Sequence, residues 1–304
     1  MKLSRILVTG AAGFLGWNVA RYFHSKGRTV VGAWHQREPD PSFLRRDVRM
    51  DLAKGDHRVL FDTAAEAPDA LAAGACVDAL VHCAALSSRI DCESDPARAR
   101  AVNVDASRRL AEMARERGIH FVFISTDLVF DGDNPPYWED DAPSPISLYG
   151  ETKAEAEKAI LAVHPESYII RTALMYGNGP GGKPGSFLAW TLDALRKQQP
   201  LHLYTNQYRN PLNAPDVARF IDLLLSHGAA PGIYHAAGPD RLSRFEIGHR
   251  IAAAFGLPAD CIIASKVDRP VGLGPIDDCS LLIAKADAIG MRFTGINEGL
   301  RVLR

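Results

Sequence analysis

The chain has 304 residues, 47% hydrophobic and 23% charged, with 35 basic against 36 acidic side chains and a formal net charge of −1. That length admits one large two-lobed unit or two modest domains, and the composition is that of an ordinary soluble globular enzyme. The balanced charge, with no block of one sign, leaves no electrostatic footprint for nucleic acid.

No apolar run approaches a membrane span, and Met1-Lys2-Leu3-Ser4-Arg5 leads straight into a strand rather than a signal peptide, so no membrane association and a cytoplasmic location are expected. The five cysteines (Cys76, Cys83, Cys92, Cys261, Cys279) are odd in number and lack a C-x-x-C, which predicts reduced thiols rather than disulfides or a zinc knuckle. Ten histidines are scattered without H-E-x-x-H spacing, and no metal site is expected.

In chain order, Ile6-Leu7-Val8 is a short apolar run that ends at a glycine turn, and Leu15, Val19, Tyr22 and Phe23 then recur at helical spacing. Gly27 closes that helix, and Thr29-Val30-Val31-Gly32-Ala33 follows as a buried strand. Further apolar runs at 79–83, 121–124 and 168–170 alternate with helical stretches at 97–117 and 149–163. This alternation predicts an α/β fold, a doubly wound parallel Rossmann-type sheet, with a smaller mixed substrate-binding lobe. Residues 1–174 and 211–237 are assigned to the nucleotide-binding domain, 175–210 and 238–304 to the lobe, with lobe and return helices near 186–198, 215–227 and 243–255. Two loops interrupt the rhythm, 133–147 (DNPPYWEDDAPSPIS) and 177–186 (GNGPGGKPGS); each is either a flap over a ligand or a flexible surface connection.

Gly10, Gly13 and Gly16 form G-x-x-G-x-x-G between the first strand and the first helix. Glycine there permits the tight turn, the approach of backbone to a pyrophosphate and close helix–strand packing. Phe14 and Leu15 open the helix, whose free amides and positive end suit the same anion. At the end of the second strand the chain reads Trp34-His35-Gln36-Arg37, without the carboxylate that accepts ribose hydroxyls in NAD enzymes. Arg37 offers a guanidinium for a 2′-phosphate, with Glu38 as a nearby counterweight, so NADP(H) is favoured over NAD(H) and His35 and Arg37 join the cofactor set. Asp51 and Leu52, after the third strand, either bracket the adenine or cap a helix.

Tyr149-Gly-Glu-Thr-Lys153 places a phenol and an ammonium one helical turn apart on one face. A tyrosine with its pKa near 10 is a poor proton shuttle. An ammonium ~4 Å away in an effective dielectric near 20 stabilises the phenolate by roughly 4 kcal/mol, enough to lower that pKa by a few units and make general acid work feasible.

With TGAAGFLG, HCAA at 82–85, Asn103, Ser125-Thr126-Asp127 and YGETK in this order, the chain resembles the extended short-chain dehydrogenase/reductases over nearly its whole length. STDLVFDG (125–132), RTALMYG (171–177), NQYRNPLNAPDVA (206–218) and GIYHAAG (232–238) resemble the dTDP-4-dehydrorhamnose reductase branch. The resemblance implies that Tyr149 donates the proton, Lys153 holds the nicotinamide ribose and tunes the phenol, and Thr126 bonds the substrate oxygen. It further implies that Gly10, Gly13 and Gly16 bind pyrophosphate, Asp51 and Leu52 flank adenine, Cys83, Ala84 and Ala85 line the cofactor path, and Asn103 supports a helix near the site.

Departures from the pattern matter as well. Related 4,6-dehydratases carry Asp then Glu after the threonine, whereas here Asp127 precedes Leu128, which favours simple carbonyl reduction. The family's Arg-Pro segment, closely followed by a serine, is replaced by Arg269-Pro270 and a longer serine-free run to Asp277. Gly177–Lys183 imitates the start of a P-loop, but Pro184 stands where a magnesium-binding hydroxyl belongs, so triphosphate hydrolysis is rejected.

The expected activity is NADPH-dependent reduction of a keto group on a nucleotide-linked deoxysugar, with Asp127, Trp138 and Arg209 as substrate-side candidates. Arg209 can meet a diphosphate or form a surface salt bridge, and Trp138 can stack on a ligand or pin its loop. Sugar-nucleotide epimerisation is one alternative. Another is a non-catalytic NADP-binding regulatory subunit resembling the methionine adenosyltransferase β subunit. The expected partner is a small molecule, a nucleotide sugar; a homo-oligomer is compatible with the sequence, which leaves the number of subunits open.

Overall fold

The computed structural model describes residues 3–65, 77–183, 185–266 and 276–304. Arg269-Pro270 and Pro184, singled out above, lie outside the described residues. Strand β1 (Arg5–Thr9) leads through the glycine turn to helix α1 (Phe14–Ser25), then to β2 (Thr29–Trp34), β3 (Arg46–Arg49) and α2 (Arg58–Ala65). Next come β4 (Ala79–His82), α3 (Arg89–Ser94), α4 (Pro96–Arg100) and, across a π turn at Ala101–Asp105, α5 (Ala106–Glu116). The chain continues through β5 (His120–Thr126), α6 (Leu148–Val163) and β6 (Tyr168–Thr172). After β7 (Met175–Tyr176) come α7 (Ser186–Lys197), β8 (Leu201–Tyr204), β9 (Tyr208–Arg209), β10 (Leu212–Asn213), α8 (Ala214–Ser226) and β11 (Gly232–Ala236). Finally β12 (Leu242–Ser243) precedes α9 (Arg244–Phe255), β13 (Ile262–Ser265), α10 (Ala284–Ala288) and α11 (Ile296–Val302).

The seven-stranded sheet runs β11-β6-β5-β4-β1-β2-β3, and parallel ladders join β1 to β2 and β4, β2 to β3, and β4 to β5. The order reverses after β1, the switch point at which doubly wound sheets bind ligands. Its strands read as near-continuous apolar runs because helices cover both faces, as β1 with five buried residues shows. The expected α/β Rossmann-type fold is therefore present, and the helices fall at the stretches where periodicity placed them.

By packing, the chain divides into a first unit of residues 1–125, 148–170 and 218–233 and a second of 126–147, 171–217 and 234–304. The first unit has a core that includes Leu7, Val31, Leu80, Leu110, Phe121, Phe123 and Ile169. The second has its own core, with Leu188, Leu192, Leu201, Leu203, Ile247 and Ile251. This division differs from the sequence-based one mainly at 126–147, which groups with the second unit. Tyr137 is the reason. Its ring stacks on Phe130 at 4.1 Å, and its backbone exchanges 2.8 Å hydrogen bonds with Ser280 and Leu282. The loop 133–147 is thus anchored rather than a loose connection, by Tyr137 and by the buried Glu139, which accepts from the Lys285 nitrogen at 3.0 Å, while Trp138 between them is 54% exposed. Among the described residues no helix is long and apolar enough to cross a membrane.

Candidate active site

The glycine turn shows why its residues must be small. Gly10 has φ of +68°, and a Cβ there would lie 2.9 Å from the Ala84 nitrogen. A Cβ on Gly16 would lie 2.1 Å from the Gly10 carbonyl oxygen, so helix α1 can approach the turn only as glycine. Gly13 precedes Phe14 as an exposed cap residue in extended conformation, and the first turn of α1 carries no acidic side chain. Unspent amides and an uncompensated positive helix end make this a cradle fit for a pyrophosphate.

At the end of β2, Arg37 is exposed and without an ion pair among the described residues. Asp51 caps no helix: it accepts from the Ala53 nitrogen at 3.0 Å inside a turn, and its other oxygen lies 3.6 Å from both His35 Nε2 and Arg98 Nη2. Arg98 was not singled out in the sequence because nothing local marks it; α4 brings it to Asp51. Cys83, Ala84, Ala85 and Leu52 are half-buried, and desolvation of the Cys83 thiol pushes its pKa up to about 12.

Tyr149 and Lys153 both lie on α6, as their spacing requires. Lys153 is buried, with its Nζ 3.8 Å from the centroid of the Phe123 ring. Burial lowers its pKa to about 7, with Glu157, one further turn along the helix, pulling the other way. Glu157 is itself buried and accepts a hydrogen bond from Ser125 Oγ. Sequence reasoning missed Glu157, although Tyr-x-x-x-Lys-x-x-x-Glu spacing would have placed all three on one face. Asn103, in the π turn, donates from Nδ2 to Thr152 Oγ1 at 3.0 Å and to the Leu86 carbonyl at 3.1 Å, and Thr152 Oγ1 donates to the Tyr149 carbonyl at 2.9 Å. The helix that carries Tyr149 is therefore tied to the loop after β4 within the first unit.

The second unit holds the substrate-side candidates. Thr126 Oγ1 donates to Asp127 Oδ1 at 3.1 Å and accepts from the Leu128 nitrogen at 3.2 Å. Asp127 is buried, and burial raises its pKa against the pull of Arg209, whose Nε lies 3.6 Å from Oδ2. Arg209 is 4% exposed and donates to the carbonyls of Ile276 and Asp277, so its ion pair is an interior one rather than a surface bridge. Arg244, which sequence reasoning did not find, adds a second guanidinium: Nε donates to Gln207 Oε1 at 3.1 Å, and the group lies 4.7 Å from the Phe187 ring. Its Nη1 is buried without a partner among the described residues. Burial, with Arg209 nearby, lowers the Arg244 pKa to about 9.

A Rossmann-type sheet with a glycine cradle at its switch point and a Tyr-x-x-x-Lys pair on the sixth helix defines the extended short-chain dehydrogenase/reductases, a class of NAD(P)-dependent enzymes. The RmlD substrate binding domain family matches residues 4–272, and the chain belongs to it. A probable low-salt glycan biosynthesis reductase, Agl14, of Haloferax volcanii is 33% identical over 269 residues, 86% of this chain and 85% of its own. The methionine adenosyltransferase 2 subunit beta of Xenopus laevis is 31% identical over 306 residues, 98% of this chain and 86% of its own. Among solved structures, MoeE5 in complex with UDP-glucuronic acid and NAD is similar at 25% identity and a TM-score of 0.78, covering 98% of this chain and 96% of that one.

Proposed function

We propose that this protein is an NADPH-dependent reductase of a keto group on a nucleotide-linked deoxysugar. The observation that carries the reading is the first unit's pairing of a glycine cradle with a Tyr149–Lys153 helix tied to the loop after β4 through Asn103 and Thr152. Gly10, Gly13, Gly16 and the first amides of α1 hold the pyrophosphate, and the unpaired Arg37 receives a 2′-phosphate. The nicotinamide supplies the hydride when bound.

The residues of this chain handle position and protons. As negative charge grows on the substrate oxygen, Tyr149 gives up its phenolic proton; Thr126, whose hydroxyl donates to Asp127 in the unliganded protein, keeps the substrate-side role that the resemblance implies. Lys153 stabilises the phenolate left behind and bonds the ribose. Asp127, Arg209 and Arg244 together carry two guanidinium groups against one carboxylate, an excess of positive charge suited to an anionic substrate such as a sugar diphosphate. The reductase name borne by Agl14 and the nucleotide sugar bound by MoeE5 agree with this reading.

A panel of nucleotide-linked keto-sugars tests it, with oxidation of NADPH as the signal. Tyr149→Phe is expected to lower turnover by about 10²- to 10⁴-fold while NADPH still binds; full turnover by that variant would remove Tyr149 from the acid role. Thermal stabilisation by NADPH should exceed that by NADH, and the reverse order would sink the assignment to Arg37.

A second reading has a specific observation behind it, the 31% identity to a methionine adenosyltransferase β subunit over nearly the full chain. On that reading the protein binds its cofactor as a regulatory subunit. Purification as a stable hetero-complex, with no reduction of any panel substrate, would bring it forward.

A further inference from the structure

Thr9, His82, Asn103, Ser107 and Thr152 are polar and essentially closed to solvent in the first unit. They form one continuous hydrogen-bonded chain whose hydrogens can be assigned. Ser107 Oγ donates its single hydrogen to the Asn103 carbonyl at 2.7 Å. Towards His82 Nε2, 3.0 Å away, it can therefore only accept, so Nε2 carries a hydrogen. Thr9 Oγ1 receives the Ala84 N–H at 3.2 Å and stands 2.6 Å from His82 Nδ1. A bare Nδ1 accepts the Thr9 hydroxyl hydrogen and satisfies both groups. A hydrogen on both nitrogens would add a buried cation beside Lys153, against the same Phe123 ring, 5.8 Å from the imidazole, that underlies the lysine. His57 is the other titratable group that acts on this imidazole.

We infer that His82 is a positioning residue for the Tyr149–Lys153 helix: a neutral imidazole protonated on Nε2, it ties the end of β1 to the π turn that presents Asn103. The path runs from the glycine-turn strand at Thr9, through the imidazole and Ser107, to Asn103, and from Asn103 through Thr152 to the backbone of Tyr149. Asn103 also closes on both backbone groups of Leu86, at 2.9 and 3.1 Å, so one imidazole registers the loop after β4 and the proton-donor helix together. A leucine of similar size would fill the space but leave the Thr9 hydroxyl without its acceptor and Ser107 Oγ without its donor. The loss would fall on alignment of the reacting groups, where a displacement of about 1 Å can cost on the order of 10²-fold in rate.

The positioning role rests on the reductase reading; the tautomer does not, and the experiment separates them. Nitrogen-15 NMR of the intact protein reads the His82 ring directly, and an Nε2–H form that does not titrate between about pH 5 and 8 is expected. An Nδ1–H form, or protonation near pH 6.5, would overturn the inference whatever the protein catalyses. With a keto-sugar nucleotide that the wild type reduces, His82→Leu should lower kcat by about 10- to 100-fold with KM within about threefold. His82→Gln, which keeps a donor for Ser107, should recover part of that loss, and Ser107→Ala, the milder variant should leucine not fold, should lower kcat by several-fold. Wild-type kcat in folded His82→Leu and Ser107→Ala would refute the positioning role. If the wild type reduces nothing, the reductase reading fails. The role is then judged by the Tyr149 backbone amide, whose NMR shift should move in Ser107→Ala; an unmoved shift would refute it.

Discussion

Each unit buries charge, at Lys153 and Glu157 in the first and at Asp127 and Arg209 in the second, but one polar cluster in each is organised differently. In the first, the interior polar side chains from Thr9 to Thr152 are neutral, and each hydrogen has an acceptor. In the second, buried charge gathers around Asp127, Arg209 and Arg244, and Arg244 Nη1, Tyr176 Oη and Asn213 Oδ1 are buried without a hydrogen-bond partner among the described residues. Satisfied neutral networks make a rigid frame, whereas a buried group that lacks a partner is costly until something pairs it. The difference teaches that the Thr9–Thr152 chain holds one geometry, whereas the Asp127–Arg209–Arg244 cluster keeps a buried donor, Arg244 Nη1, without a partner among the described residues.

The sharpest way to break that comparison is at two helical glycines. Gly16→Ala would drive a Cβ into the Gly10 backbone at 2.1 Å, while Gly248→Ala would meet Leu203 Cδ1 at 2.2 Å, the tip of a side chain that can swing aside. Gly16→Ala is expected to destabilise by about 3 kcal/mol and to abolish binding of the nicotinamide cofactor. Gly248→Ala should be within about 1 kcal/mol of wild type, because alanine's better helix propensity offsets the crowding. Chemical denaturation measures both, and equal losses would show that the first unit is no more rigid than the second.

Acid should strain both units. Burial lowers His82 in the first and His235 in the second to about 3, with Lys153 and Arg171, respectively, adding repulsion. The unfolded chain titrates these groups near pH 6.5, so between there and the folded values it binds more protons than the native state. Stability is then full above that pH and falls as pH drops, by on the order of 2 kcal/mol per group at pH 5. Melting curves at pH 7.5 and 5 should show the loss, and His82→Gln should remove about half of it. An unchanged slope in that variant would place the acid sensitivity elsewhere.

The smallest effect is expected at Arg244. Arg244→Met removes a half-buried cation beside the buried Arg209, so the unliganded protein should keep its stability or gain slightly. Substrate KM should rise by about tenfold, roughly 1.4 kcal/mol, with kcat little changed. A large loss of stability together with an unchanged KM would make Arg244 a structural residue and dissolve the contrast between the units.

Much of the first unit could be read directly from residue order. Strand and helix periods, the glycine spacing and Tyr149-x-x-x-Lys153 are local patterns, and local sterics convert them into a turn and a helix face without help from the rest of the chain. The second unit was less legible. Nothing near Arg244 or Tyr137 announces a role, because Arg244 acquires Gln207 and Phe187 as neighbours, and Tyr137 acquires Phe130, only when separate elements pack. Asp51 shows the same limit, since its place after β3 left an adenine contact and a helix cap both open, and the fold gave it no helix to cap but the side chains of His35 and Arg98.

By itself, then, the sequence determined the class of fold, the tight glycine turn after β1 and the helix that carries Tyr149 and Lys153, since each depends on spacings of a few residues along one backbone. The tertiary structure alone decided the His82 chain, the burial of Lys153 and Glu157, and the charge cluster of the second unit. Desolvation and hydrogen-bond direction are properties of neighbours brought together from distant positions, and no spacing along the chain encodes them.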